Sequence, residues 1–166
     1  MKINIASVLK NDGASMNFSK EMELGDFDFL GSNISFKAPV RIEGKISNMG
    51  GTLEITGNAV GSYTAPCSRC NETVSMKLDA EIFESVESDF SDVDEDSLSL
   101  CGTVLDIGGA VRACIFNGIP LKFLCREDCK GLCPQCGINL NENECNCETE
   151  DYDPRFAIFR KLSKEV

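Results

Sequence analysis

Histidine is absent from this chain, so no imidazole is available as a general base. No apolar run reaches the roughly 18 residues of a membrane span, which excludes a transmembrane helix as the expected anchor. Positive charge is scarce: 16 basic side chains face 27 acidic ones, for a formal charge of −11. A broad, nonspecific nucleic-acid binder needs a positive field, and this balance opposes one. The start, MKINIASVLKNDG, lacks both an apolar signal core and a small-residue cleavage site, so the expected compartment is cytoplasmic. A Walker sequence is missing, and no dinucleotide-binding glycine pattern follows a strand. Enzyme chemistry and a small-molecule substrate are therefore not expected.

Cysteine, by contrast, is plentiful. In a reducing compartment ten cysteines argue for metal or thiol chemistry over a disulfide framework. Eight come as close pairs. Cys67 and Cys70 form C-x2-C after Pro66, at the junction of two expected strands, where a turn aims both sulfurs at one ion. Cys125 and Cys129 form a looser C-x3-C. Cys133 and Cys136 lie in CPQCG, whose Gly137 relieves crowding around a metal knuckle. Cys145 and Cys147 form C-x-C. Zinc is the default ion for four thiolates, since it accepts tetrahedral sulfur without redox change, and one or two ions per chain are expected.

Spacing leaves the partition open. One arrangement joins Cys133, Cys136, Cys145 and Cys147 in one site and Cys67, Cys70, Cys125 and Cys129 in another. A second makes one compact site from Cys125, Cys129, Cys133 and Cys136. An iron–sulfur cluster and a CSRC or CPQC redox couple are the competing chemistries. The redox couple is disfavoured because CSRC lies between strands and CPQC among turn residues. Cys145 and Cys147 sit in ENECNCETEDYD, too polar to fold by burial, so ligation would order it. Lys122, Arg126, Lys130 and Arg69 lie near the ligands and would soften the thiolate charge. Cys114 is read as a packing residue on a helix stripe; Cys101 has no close partner in sequence.

The fold class expected is α+β: an antiparallel β-meander or small partly open barrel, two helices and a cysteine-rich zinc-binding C-terminal segment. Residues 1–83 form the β-rich body. Ile3 and Ile5 mark a first strand, and Phe18, Met22 and Leu24 hint at another. Ile34, Phe36, Val40 and Ile42 share one parity, with Lys37, Arg41 and Lys45 giving a basic wet side. Leu53 and Ile55, then Val74, Met76, Leu78, Ala80 and Ile82, continue the meander beyond an NMGG turn. Residues 84–96 read as an acidic solvated loop. Residues 97–124 add a strand near Leu98 and Leu100 and a helix capped by Asp106, with Ile107, Val111, Cys114 and Ile115 on its stripe. Residues 125–149 are the metal-binding segment. Residues 150–166 form a helix starting at Asp153 and Pro154. Tyr63 either packs or stacks on a base.

These residues together resemble the YceD family, formerly a domain of unknown function. The resemblance rests on PCSRCNE at 66–72, LDIGGAVRACIFNGIPLKFLC at 105–125, CKGLCPQCGINLN at 129–141, CNC at 145–147 and DPRFAIFRKL at 153–162. The eight paired cysteines match the family framework, and Asp153, Pro154 and Arg155 its terminal element. Ala113 departs from it, standing where an acidic residue is common, as do the adjacent Gly108 and Gly109. The resemblance implies a role in accumulation of large-subunit (23S) ribosomal RNA, hence in ribosome biogenesis. The implied partners are a ribosome-assembly protein, with the chain as adaptor, or a large-subunit RNA precursor contacted through Arg41, Lys45 and Arg155.

Overall fold

The computed structural model describes residues 1–87 and 98–147. Alternating apolar residues build most of it. The chain opens with β1 (Lys2–Asn4), but Ile5 does not extend the strand. It caps a one-turn helix, α1 (Ala6–Leu9), where Asn4 Oδ1 accepts the Ala6 N–H. There follow β2 (Ser15–Met22), β3 (Phe27–Phe29), β4 (Ser32–Phe36), β5 (Val40–Asn48), β6 (Thr52–Pro66) and β7 (Thr73–Glu87). Then come β8 (Ser99–Cys101), β9 (Val104–Asp106) and α2 (Gly108–Gly118). The single strand expected across Ile34–Ile42 is thus two, because the Lys37–Ala38–Pro39 turn intervenes.

Six strands form one antiparallel sheet and three a smaller one, β1-β9-β8. In the large sheet β6 pairs with β7 along its whole length, from Thr52↔Glu87 to Pro66↔Thr73. Its other edge is shared: β5 takes Leu53 to Val60, and β4 takes Tyr63 and Thr64. β2 flanks β5 and β3 flanks β4. The sheet is open, so the meander holds for β5–β6–β7 and the barrel does not form.

One face of this sheet is the core. Val40, Ile42, Ile46, Leu53, Ile55, Ala59, Leu78, Ala80 and Ile82 are buried at alternate positions, as period-2 burial requires. α2 covers β7 with Ala110, Val111 and Ile115. Cys114 is only half-buried, its Sγ 3.9 Å from Glu84 Oε1. Cys101 is exposed. The expected N-cap is displaced: Asp106 ends β9 and Ile107 takes the cap position. The Asp106 carboxylate nevertheless accepts the Gly108 N–H at 3.0 Å and meets the Met1 amino group at 2.5 Å. These contacts, the ammonium first, hold it below the usual carboxylate range.

Two further expectations change. The acidic stretch does not leave the sheet at residue 84, because β6 still offers pairing partners as far as Glu87. Residues 88–96 and the helix expected over 150–166, with Asp153, Pro154 and Arg155, lie outside the described residues. The wet face is mixed, since Arg41 Nη2 meets Glu43 Oε1 at 2.5 Å and both are exposed.

Asn48 is the buried polar side chain that ties the parts together. Its amide donates to Val8 O (3.1 Å) and Leu9 O (3.4 Å), and its oxygen accepts the Gly51 N–H (3.0 Å). It thereby caps α1 and pins the β5–β6 turn. Asn48→Ala strips a buried carbonyl and an amide of partners, and should lower unfolding stability by about 2 kcal/mol in a urea titration.

Candidate metal centres

The centres begin with two copies of one turn. In the first, Cys67 N–H donates to Glu72 O (2.8 Å) and Asn71 N–H to Cys67 O (2.9 Å). In the second, Cys133 N–H donates to Ile138 O (2.8 Å) and Gly137 N–H to Cys133 O (2.9 Å). Each places a left-handed residue just after its second cysteine, Asn71 at φ 62° and Gly137 at φ 74°. Asparagine and glycine are the residues that enter this region most readily. Both knuckles thus carry their pair of sulfurs on a tight loop, and neither C-x2-C opens a helix.

The remaining pairs are brought in from elsewhere. Rings of Phe27, Phe36, Tyr63 and Phe123 lie in successive contact at centroid separations of 5.5–6.2 Å, running from the β3–β4 hairpin to the start of the cysteine segment. Tyr63 is buried in this line, which decides for packing; burial also pushes its phenol up. Phe123 then clips to the first knuckle: Ser68 N–H donates to Phe123 O (2.7 Å) and Phe123 N–H to Ser68 Oγ (3.1 Å). Two residues later Cys125 stands opposite the knuckle. Arg69 Nη1 donates to Cys129 O (2.8 Å) and Glu127 O (3.2 Å), fixing the C-x3-C loop by its backbone rather than by its sulfurs.

All eight paired cysteines converge in two tetrads. Cys67, Cys70, Cys125 and Cys129 form the inner one and Cys133, Cys136, Cys145 and Cys147 the outer, with sulfurs in each within 4.8 Å of one another. The compact set of Cys125, Cys129, Cys133 and Cys136 is not assembled. Within the inner tetrad Cys67 Sγ lies 3.9 Å from Cys129 Sγ, and Cys70 Sγ 3.6 Å from Cys125 Sγ. A tetrahedron with metal–sulfur bonds of about 2.3 Å has edges of about 3.8 Å, so the donor set fits a four-coordinate soft cation. Inner Cys67, Cys70 and Cys129 are buried, whereas outer Cys136 is exposed and Cys145 half-buried.

Backbone dipoles favour charge on the leading sulfur of each knuckle. Burial pushes the Cys67 thiol up, but the N–H groups of Cys70, Arg69 and Cys125 outweigh it and bring it down to about 6. For Cys133 the N–H groups of Cys136 and Gln135 do the same, also to about 6. Cys125 and Cys147 move the other way. Burial and neighbouring Cys129 push Cys125 up to about 12, and Cys136 pushes Cys147 up to about 12. Four sulfurs this close do not all ionise unaided; a dication would offset two of the four thiolate charges.

The matching model for large ribosomal RNA subunit accumulation protein YceD covers residues 55–163. The chain belongs to the YceD family. That match takes in most of β6, all of β7 and α2, and both tetrads. YlbN of Bacillus subtilis, an uncharacterised protein, is 26% identical over 99% of this chain and 98% of its own length. An Arabidopsis thaliana protein named large ribosomal RNA subunit accumulation protein YCED homolog 1, chloroplastic, is 31% identical over 37% of this chain and 19% of that one. An uncharacterised protein of Mycobacterium bovis is 29% identical over 62% of this chain and 52% of that one. No solved structure matches.

Sequence reasoning overlooked three residues of the YceD site. Asn71 holds the left-handed position that Gly137 holds in the second knuckle, and CSRCN beside CPQCG was the available signal. Asn139 and Asn141 hydrogen-bond around the inner tetrad, and no spacing rule points to them.

Proposed function

We propose that this YceD-family chain is a non-enzymatic, zinc-stapled adaptor in ribosome biogenesis that supports accumulation of large-subunit (23S) ribosomal RNA. The family description and the plant relative's name support the ribosomal part. The two tetrads support the rest. Four sulfurs fill a tetrahedral ion and leave no open position for substrate or water, the mark of a structural rather than catalytic zinc. One concavity among the described residues, about 650 Å³, is an open dish lined by Gly44, Gly57, Asn17, Glu43, Lys45 and Asn58. Small-molecule pockets are enclosed, whereas this dish is open to solvent.

Docking to a protein is favoured over direct RNA contact. Arg41, Lys45 and Lys77 on the wet face are interspersed with Glu43, Asp79 and Glu81, and Arg41 is already engaged by Glu43. No helix among the described residues is long and apolar enough to cross a membrane, and the place of action in this reading is the cytoplasm. Depleting the protein should lower mature large-subunit RNA relative to small-subunit RNA, measured by RNA gel and subunit sedimentation. Unchanged RNA and subunit profiles would overturn the reading.

A further inference from the structure

Although the eight sulfurs fall into two groups, the loop closed by the outer group reaches into the inner one. Residues 137–144 lie between Cys136 and Cys145, and from there Asn141 turns its amide on the inner tetrad. Its Nδ2 donates to Cys129 Sγ at 3.3 Å, while Oδ1 accepts the Lys130 N–H at 2.8 Å. The second contact fixes the first, since only the oxygen accepts an N–H, leaving the NH2 against sulfur. Asn141 Nδ2 also donates to Asn139 Oδ1 (2.8 Å), and Asn139 Nδ2 donates to Glu72 Oε1 (2.6 Å). Glu72 is the residue whose carbonyl closes the first knuckle. A line of side chains therefore runs from the inner knuckle, through the outer loop, and back to an inner sulfur.

We propose that Asn139 and Asn141 couple the two metal centres: an ion in the outer tetrad fixes the loop whose amide holds Cys129 for the inner ion. The inference rests on reading both tetrads as metal sites. Its physical basis is twofold. An N–H directed at a ligand sulfur both stabilises the thiolate and fixes its rotamer, and loss of such outer contacts typically weakens metal binding about 10–100-fold. The loop also lacks apolar anchorage, since Ile138 and Leu140 are half-buried and residues 142–144 exposed. Its position therefore depends on closure between Cys136 and Cys145 together with its backbone contacts, Leu140 N–H to Gly131 O (2.9 Å) and the Leu132↔Asn139 bridge. By linkage, the inner ion steadies the outer site to the same extent. Asn139 and Asn141 are positioning residues, not ligands.

The test uses the full chain, reduced, loaded with zinc and challenged with excess chelator, with ions per chain counted over time by native mass spectrometry. The wild type should start with two ions and lose the outer one first. Asn141→Asp keeps an acceptor for Lys130 N–H but replaces the donor by a carboxylate, and should speed the slow step by on the order of 10-fold. Cys136→Ser should lose the outer ion and release the inner one faster than the wild type. Asn143→Ala, in the same loop but held there by its backbone N–H on Asn139 O, should behave as the wild type. If Asn141→Asp and Cys136→Ser both keep the wild-type slow step, the coupling is overturned while the metal reading stands. If the wild type carries no ion, the metal reading falls and the coupling with it.

Discussion

Replacing Cys129 by serine is expected to empty the inner centre and release residues 124–147 from the sheet while β5, β6 and β7 stay folded. The asymmetry follows from where burial lies. The sheet and α2 share a continuous apolar core containing Ile42, Ile55, Leu78 and Val111, whereas among the described residues the only buried side chains after Phe123 are Cys129 and Cys133. Apolar burial worth about 25 cal/mol per Å² has little to act on in such a segment. Structural zinc contributes roughly 10–16 kcal/mol in small sulfur-ligated peptides, so in the proposed metal-bound chain ligation would supply the folding free energy of this segment. Removing one of four thiolates forfeits most of that and leaves buried sulfurs unmatched. Hydrogen exchange reads the result directly. Amides of 124–147 should lose protection while β5–β7 keep theirs, and chelation of the wild type should give the same pattern. Cys136→Ser should have a milder effect, because Cys136 is itself exposed and the inner staple still holds the Cys125–Cys129 loop. Unchanged protection in Cys129→Ser would contradict the ligand assignment.

The second large effect is expected in the sheet itself, from Gly57→Ala. Gly57 pairs with Gly44 across β5 and β6. A methyl on Gly57 would collide with the Glu43 carbonyl oxygen and come within 2.8 Å of Gly44 Cα. Both are backbone atoms of paired strands, so neither can turn aside. A methyl on Gly44 would lie 2.5 Å from Thr56 O and 2.8 Å from the Phe18 ring, which occupies the space the glycines leave. Overpacking of this kind costs about 3 kcal/mol, and for a chain of this size that lowers Tm by roughly 10 °C. Gly61→Ala provides the contrast. There the closest atom is a side-chain methyl of Val40 at 3.2 Å, which need give only a few tenths of an ångström, so the effect should stay below about 1 kcal/mol. Thermal melts that give equal losses for the two variants would refute the close-approach explanation.

What the sequence disclosed follows the same division. β6 and β7 were legible because one face is buried and the other wet, which forces an apolar residue at every second position. Strand ends were not legible. β7 continues through Glu84 to Glu87 because a paired neighbour, not local composition, decides where it stops. α1 escaped notice because Ile5 continues the alternation begun at Ile3, and the single Ile5–Val8 spacing is too short a span to establish a helical period. The helix start at Asp106 was chemically right and one residue off, the carboxylate reaching Gly108 N–H from the end of a strand. The cysteine pairs announced metal-like chemistry, but spacing alone left the partition open. Pairing between β6 and β7 chooses between them by carrying the first knuckle to the sheet end, where Ser68 and Phe123 clip the C-x3-C loop against it. Asn139 and Asn141 remained invisible, since an amide placed by a loop leaves no periodic trace.

The central claim is that eight cysteine sulfurs hold two zinc ions in closed sites that fold the end of the described chain. Elemental analysis combined with native mass spectrometry of the reduced protein, purified without added metal, tests it most directly. The account predicts two zinc ions per chain, with the eight paired thiols resisting alkylation until a chelator is added. A metal-free chain whose paired cysteines alkylate freely while residues 124–147 keep their exchange protection would contradict it.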